Sequence, residues 1–88
     1  MNLFCFGLSH QTAGVDVRER FAIPESALPE ALARLETMPG LTEGLVLSAC
    51  NRTEFYVTGA FRDSQGFFET FYPDFRAGPY RTHTDFLA

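Results

Sequence analysis

Lysine is missing from this chain: all seven basic residues are arginines, set against eleven acidic residues, for a net charge of −4 over 88 residues. A surface that tracks phosphates is built from clustered cations, so this balance argues against nucleic acid as a bulk partner. Cysteine is scarce, with only Cys5 and Cys50. Two are too few for a disulfide-stapled secreted scaffold, and neither has a second Cys or a His at metal-ligand spacing, so no zinc site is expected. No apolar run approaches the roughly 18–20 residues that cross a bilayer. No basic segment followed by an apolar stretch and a small-residue cleavage site opens the chain. The expectation is a soluble, cytoplasmic protein with no membrane partner, in which the sequon-like Asn51-Arg52-Thr53 is a coincidence. Also lacking is any Gly-x-Gly-x-x-Gly, the fingerprint of a dinucleotide-binding turn. There is no repeat, linker or low-complexity segment.

What is present is apolar. Hydrophobic residues make up 45% of the chain and ten residues are Phe, enough for a real core in a single domain that buries roughly 60% of its unfolded surface. Leu3 to Ser9 reads as a buried strand ending in a turn-rich stretch, His10 to Gly14. Asp16 with Glu19 resembles a capping box for a short helix from Val17 to about Ala22, stopped by Pro24. Ser26 is a candidate cap for a second helix, Ala27 to Thr37, with Leu28, Ala31, Leu32 and Leu35 as one apolar stripe ended by Pro39-Gly40. Strands are expected at Gly44 to Leu47 and Thr53 to Thr58, the latter with Phe55 and Val57 on one face and Tyr56 on the other. Between them, Ser48 to Thr53 reads as a polar connection. Asp63 is positioned to cap a helix carrying Phe67, Phe68 and Phe71, although Gly66 weakens it. A last strand is expected at Tyr80 to Thr84. The order β-α-β-β-α-β predicts an α+β, ferredoxin-like sandwich, an antiparallel sheet with helices on one face.

Cys50 stands out among residues able to do chemistry. It lies in a polar connection beyond an apolar strand, and ends of strands on rigid sheets often carry catalytic groups. The thiolate is the reactive form and a nearby cation favours it. Arg52, two residues on, points the same way if the stretch is extended. It has two possible roles, stabilising the thiolate or clamping a substrate carboxylate through its two-pronged donor face. The plainer reading is a small buried residue, the commoner fate of a lone Cys near a strand. Cys5, inside an apolar run, fits that plainer reading as core. His10 could reach the same end of the sheet, or serve only as a local hydrogen-bond partner. His83 lies near the chain end. Arg18 and Arg20 read as solvated helix charges, and the Phe67 to Phe75 cluster as core.

Two stretches carry a resemblance. Gly7-Leu8-Ser9-His10-Gln11-Thr12-Ala13, running into Val17-Arg18-Glu19-Arg20, is similar to the opening signature of glutamyl-tRNA reductases. Leu47-Ser48-Ala49-Cys50-Asn51-Arg52-Thr53-Glu54-Phe55-Tyr56 resembles that family's active-site motif, in which the cysteine is the nucleophile. The resemblance covers most of residues 2 to 58 and identifies residues 1–88 with the N-terminal catalytic domain. It implies a cysteine thioester formed from glutamyl-tRNA, then reduction by NADPH to glutamate-1-semialdehyde, the precursor of 5-aminolevulinate and of porphyrins and other tetrapyrroles. It places Ala49, Cys50, Asn51 and Arg52 in the substrate-binding segment, with His10, Thr53 and Glu54 as supporting candidates. The chain departs from the family where Ala49 replaces the usual Thr before the cysteine, removing a hydroxyl. It departs again at Thr82-His83-Thr84, which does not match the segment holding the family's important His. The NADPH-binding domain and the helical domain through which the full-length enzyme forms homodimers are not in these residues. The isolated domain is therefore expected to bind no cofactor, and to meet the acceptor end and glutamyl group of the tRNA. Two other readings compete: a non-catalytic ferredoxin-like module that binds a ligand or partner, which gives no reason for Cys-Asn-Arg-Thr-Glu, and a cysteine hydrolase, which needs a base close to the thiol that only His10 could supply.

Overall fold

A computed structural model describes residues 2–9, 11–49, 51–73, 75 and 81–88. Strand β1 (Leu3–Ser9) is followed by helix α1 (Val15–Phe21), a single 3-10 turn at Glu25–Ala27, helix α2 (Leu28–Glu36), strands β2 (Leu41–Ala49) and β3 (Arg52–Gly59), helix α3 (Ser64–Phe71) and strand β4 (His83–Phe86). The four strands form one sheet in the order β2-β3-β1-β4, and every pairing is antiparallel. This is the expected α+β, ferredoxin-like arrangement.

The two-residue period of the strands decides which side is covered. On β1 and β3 the paired inner residues are Phe4 with Val57, Phe6 with Phe55 and Leu8 with Thr53. All of these but Thr53 join Phe21, Ala31, Leu35, Phe67, Phe68 and Phe71 from the helices in one apolar cluster. Phe55 lies at its centre, 4.9 Å from the ring centroids of both Phe67 and Phe71. Among the described residues no helix covers the opposite face, where Leu45 is 55% and Leu47 38% exposed. Among the described residues no helix is long and apolar enough to cross a membrane.

Local signals set element ends unevenly. Asp63 caps α3 as expected, its Oδ1 accepting the Gly66 N–H at 2.8 Å, and this offsets the cost of the glycine. Helix α1 begins earlier than expected, at Val15, with Gly14 as a cap that offers no side chain. Asp16 therefore falls in the first turn, where its charge meets the helix dipole instead of closing a capping box. Ser26 makes no cap bond; the chain enters α2 through the 3-10 turn, with Pro29 in its first turn. Leu32, expected in the apolar stripe, is 41% exposed. The last strand is His83–Phe86 and not Tyr80 to Thr84, because Phe86 pairs with Phe4 and Thr84 with Phe6 along β1; Tyr80 lies outside the described residues. Strand β2 also exceeds the expected Gly44 to Leu47, since its ladder with β3 runs to Ala49 opposite Arg52.

Truncating the central ring should reveal this asymmetry. Phe55→Ala is expected to cost about 3–5 kcal/mol in chemical denaturation, whereas Leu45→Ala on the open face should change stability by no more than about 0.5 kcal/mol.

Candidate active site

The motif folds as a tight β2–β3 hairpin rather than a six-residue connection. Ala49 is the last residue of β2 and pairs with Arg52, the first of β3, so only residues 50 and 51 separate the strands. Ala49 and Asn51 are exposed. Cys50 and His10 lie outside the described residues. Alternation along β3 then divides the motif between faces. Thr53 turns inward and is 2% exposed, while Arg52, Glu54 and Tyr56 share the open face.

The inward residues brace the hairpin. The Ser48 hydroxyl accepts the Ile23 backbone N–H at 3.0 Å and lies 3.4 Å from the Thr53 hydroxyl. The segment after α1 is thereby tied to the base of the hairpin. On the neighbouring strand, Ser9 pairs with Arg52, and the turn that follows is cinched by Thr12. The Thr12 hydroxyl accepts the Ser9 N–H at 3.0 Å and donates to the Ser9 carbonyl at 3.2 Å. Arg52 thus starts β3 between two braced strand ends.

On the open face the polar side chains converge on one carboxylate. Glu54 Oε1 lies 3.3 Å from Arg52 Nε and accepts the Tyr56 hydroxyl at 3.0 Å. Its other oxygen faces His83 Nε2 at 4.0 Å, and His83 Nδ1 is 3.4 Å from Asp85. The imidazole can lie there only because Gly7 has no side chain: a Cβ on Gly7 would stand 2.3 Å from His83 Nε2. The Glu54 side chain is 15% exposed, against 46% for that of Arg52, so the carboxylate sits inside the layer and the guanidinium at its rim.

Cys5 belongs to this face and not to the helix-covered core. It pairs with Tyr56 and with Asp85 across the two ladders and is 3% exposed. Burial first, and the Glu54 carboxylate second, push its thiol from 9.0 up to about 11. The hydrogen bond to Glu54 raises the Tyr56 phenol to about 12. Both groups hold their protons more tightly folded than unfolded, so the stability they contribute is complete below pH 9 and is lost as pH rises from 9 toward 11 for Cys5 and from 10 toward 12 for Tyr56. Among the described residues no cluster of three His, Cys, Asp or Glu is arranged to hold a metal.

Sequence reasoning noted the Cys50–Arg52 spacing and Glu54 as a supporting candidate, set His83 aside as near the chain end, and gave Tyr56 and Gly7 no role of their own. Tyr56 was within reach, because residues 52, 54 and 56 of a strand share one face. Gly7 and His83 join them only through the β1 and β4 registers.

The sequence profile of the family described as "Glutamyl-tRNAGlu reductase, N-terminal domain" matches residues 6–84. The chain is 49% identical over 74 residues to glutamyl-tRNA reductase 2 of Koribacter versatilis, covering 82% of this chain and 17% of that protein. It is 55% identical over 56 residues to the glutamyl-tRNA reductase of Xanthomonas campestris pv. campestris, covering 64% and 13%. With the Akkermansia muciniphila enzyme it shares 48% identity over 56 residues, covering 64% and 16%. The chain thus spans less than a fifth of the length of each of these relatives.

The Cys5 thiol should resist alkylation at neutral pH. In a Cys50→Ser variant, iodoacetamide labelling of Cys5 is expected to stay slow until pH approaches 11, as followed by intact mass.

Proposed function

The chain belongs to the glutamyl-tRNA reductase N-terminal domain family, and on that premise we propose that it supplies the nucleophile and the glutamyl site of a glutamyl-tRNA reductase. The observation that carries this reading is the position of Arg52. It opens β3 at the rim of the sheet, two residues from Cys50, with its side chain anchored by Glu54.

In the proposed reaction the Cys50 thiolate attacks the ester carbonyl of glutamyl-tRNA. A carbon–sulfur bond forms as the bond to the terminal ribose oxygen breaks. That oxygen leaves with the electron pair and takes up a proton from water. The product is a glutamyl thioester on Cys50, which divides one difficult reduction into two easier steps. Arg52 clamps the glutamyl side-chain carboxylate, the only free carboxylate once the α-carboxyl is esterified, and Ala49 and Asn51 line the same segment. A guanidinium holds a carboxylate through two parallel N–H donors, a geometry that an ammonium cannot reproduce.

The nicotinamide cofactor that the family implies does not fit the described residues. The sheet is antiparallel throughout, so it has no parallel strand–helix–strand unit to seat a dinucleotide, and the chain has no Gly-x-Gly-x-x-Gly. In this reading, hydride delivery from NADPH, homodimer formation and most contact with the tRNA body fall to residues outside these 88. The net charge of −4 does not contradict a domain that meets only the acceptor end. The pathway served is tetrapyrrole synthesis in the cytoplasm.

With no hydride donor, the thioester turns over only by hydrolysis, so the isolated chain should act as a weak glutamyl-tRNA esterase. Deacylation of glutamyl-tRNA is expected to vanish in Cys50→Ser and to persist in Cys5→Ser. Arg52→Lys should lose nearly as much activity as Arg52→Ala, with folding of each variant checked by circular dichroism. Deacylation by Cys50→Ser at the wild-type rate would overturn the reading. With NADPH added, the wild-type chain should release no semialdehyde.

A further inference from the structure

We infer that Glu54 is a positioning residue for the glutamyl site: tethered by Tyr56, it holds Arg52 through Nε so that the two terminal guanidinium nitrogens are presented to the substrate carboxylate. This deepens the proposed function and rests on it.

The geometry of the contact carries the inference. A guanidinium has two edges that can grip a carboxylate, one formed by Nε with a terminal nitrogen and one by the two terminal nitrogens. Glu54 Oε1 lies 3.3 Å from Arg52 Nε, an ion pair on the Nε side of the guanidinium. No further ion pair or hydrogen bond to Arg52 occurs among the described residues, so the terminal edge remains for a second carboxylate. Arg52 is half-exposed and Glu54 is mostly buried, so the fixed partner sits on the protein side and the open edge faces solvent.

Glu54 is itself held, which a merely solvated ion pair would not require. The Tyr56 hydroxyl donates, at 3.0 Å, to the same Glu54 oxygen that faces Arg52. Its other oxygen looks toward His83, whose ring fills the space above Gly7. An exposed Arg side chain is mobile and loses entropy when it grips a ligand. Anchoring its Nε removes part of that loss before the substrate arrives, and small misplacements of positioning groups carry large kinetic costs.

The test compares two small thioesters, the α-thiobenzyl esters of glutamate and glutamine, which differ only in a carboxylate against a carboxamide. Each acylates Cys50 by thiol–thioester exchange: the new carbon–sulfur bond forms, the old one breaks, and benzyl thiolate leaves. Rates are read by intact mass with Cys5 replaced by Ser. The ratio of the two rates measures carboxylate recognition independently of thiol reactivity. Glu54→Ala should lower it roughly tenfold, toward the value of Arg52→Ala. Glu54→Gln, which keeps an acceptor for both Tyr56 and Arg52, should retain most of it. Tyr56→Phe leaves every charge in place at neutral pH and should still lower the ratio, and it decides the matter if Glu54→Ala fails to fold. A Glu54 that acted only through its charge would give the opposite pattern. Glu54→Ala and Glu54→Gln would then both raise the ratio and Tyr56→Phe would leave it unchanged, overturning the inference while the proposed function stood. An Arg52→Ala variant with the wild-type ratio would overturn the carboxylate clamp itself, and this inference with it.

Discussion

Phe6 and Phe55 face one another across β1 and β3, with the ring of Phe67 packed 5.3 Å from the first and 4.9 Å from the second. The rest of the molecule depends on that pairing. Side chains alternate along a strand, so a slip of one residue would carry every inner group to the outer face. With both rings fully buried under α3, the register has one solution. It places Arg52, Glu54 and Tyr56 together on the open side by the same act that buries Phe55 and Val57.

The division between faces separates tasks. The inner face is aromatic and closed, with Phe68, Phe71 and Tyr72 also gathered around Phe55, and it provides rigidity. The outer face carries the polar line from Arg52 through Glu54 to His83 and Asp85, with Cys5 sealed beneath it. Burial and the neighbouring carboxylate keep the Cys5 proton in place, and at the far end of the sheet the strand ends at Ala49, Arg52 and Ser9 are braced by Ser48, Thr53 and Thr12.

Without lysine and with an acidic balance, the chain lacks the clustered cations from which a broad phosphate-tracking surface is built. A single anchored arginine at the tip of a hairpin is a different kind of site, one suited to a small anion presented at a defined place. The proposed role in glutamyl transfer asks for that and for no broad basic surface. Recognition of one carboxylate then rests on local geometry, which the strand spacing of three consecutive outward residues on β3 supplies.

The sequence by itself determined the fold class, the inward Phe55 and Val57 and the Asp63 cap, because each follows from local periodicity or local hydrogen bonding. It was less decisive where neighbouring strands set the limits. Strand β2 gained its ends from pairing with β3, the last strand shifted to His83–Phe86 to follow β1, and Leu32 stayed exposed where the helical stripe alone would bury it. Cys5 is buried, as its apolar run implied, but that run could not say which face of the sheet it lies on. The convergence of Arg52, Glu54, Tyr56 and His83 over Gly7 was decided only by tertiary structure. It brings together residues from three strands whose registers are fixed by side chains on the opposite face, and no spacing along the chain encodes such a contact.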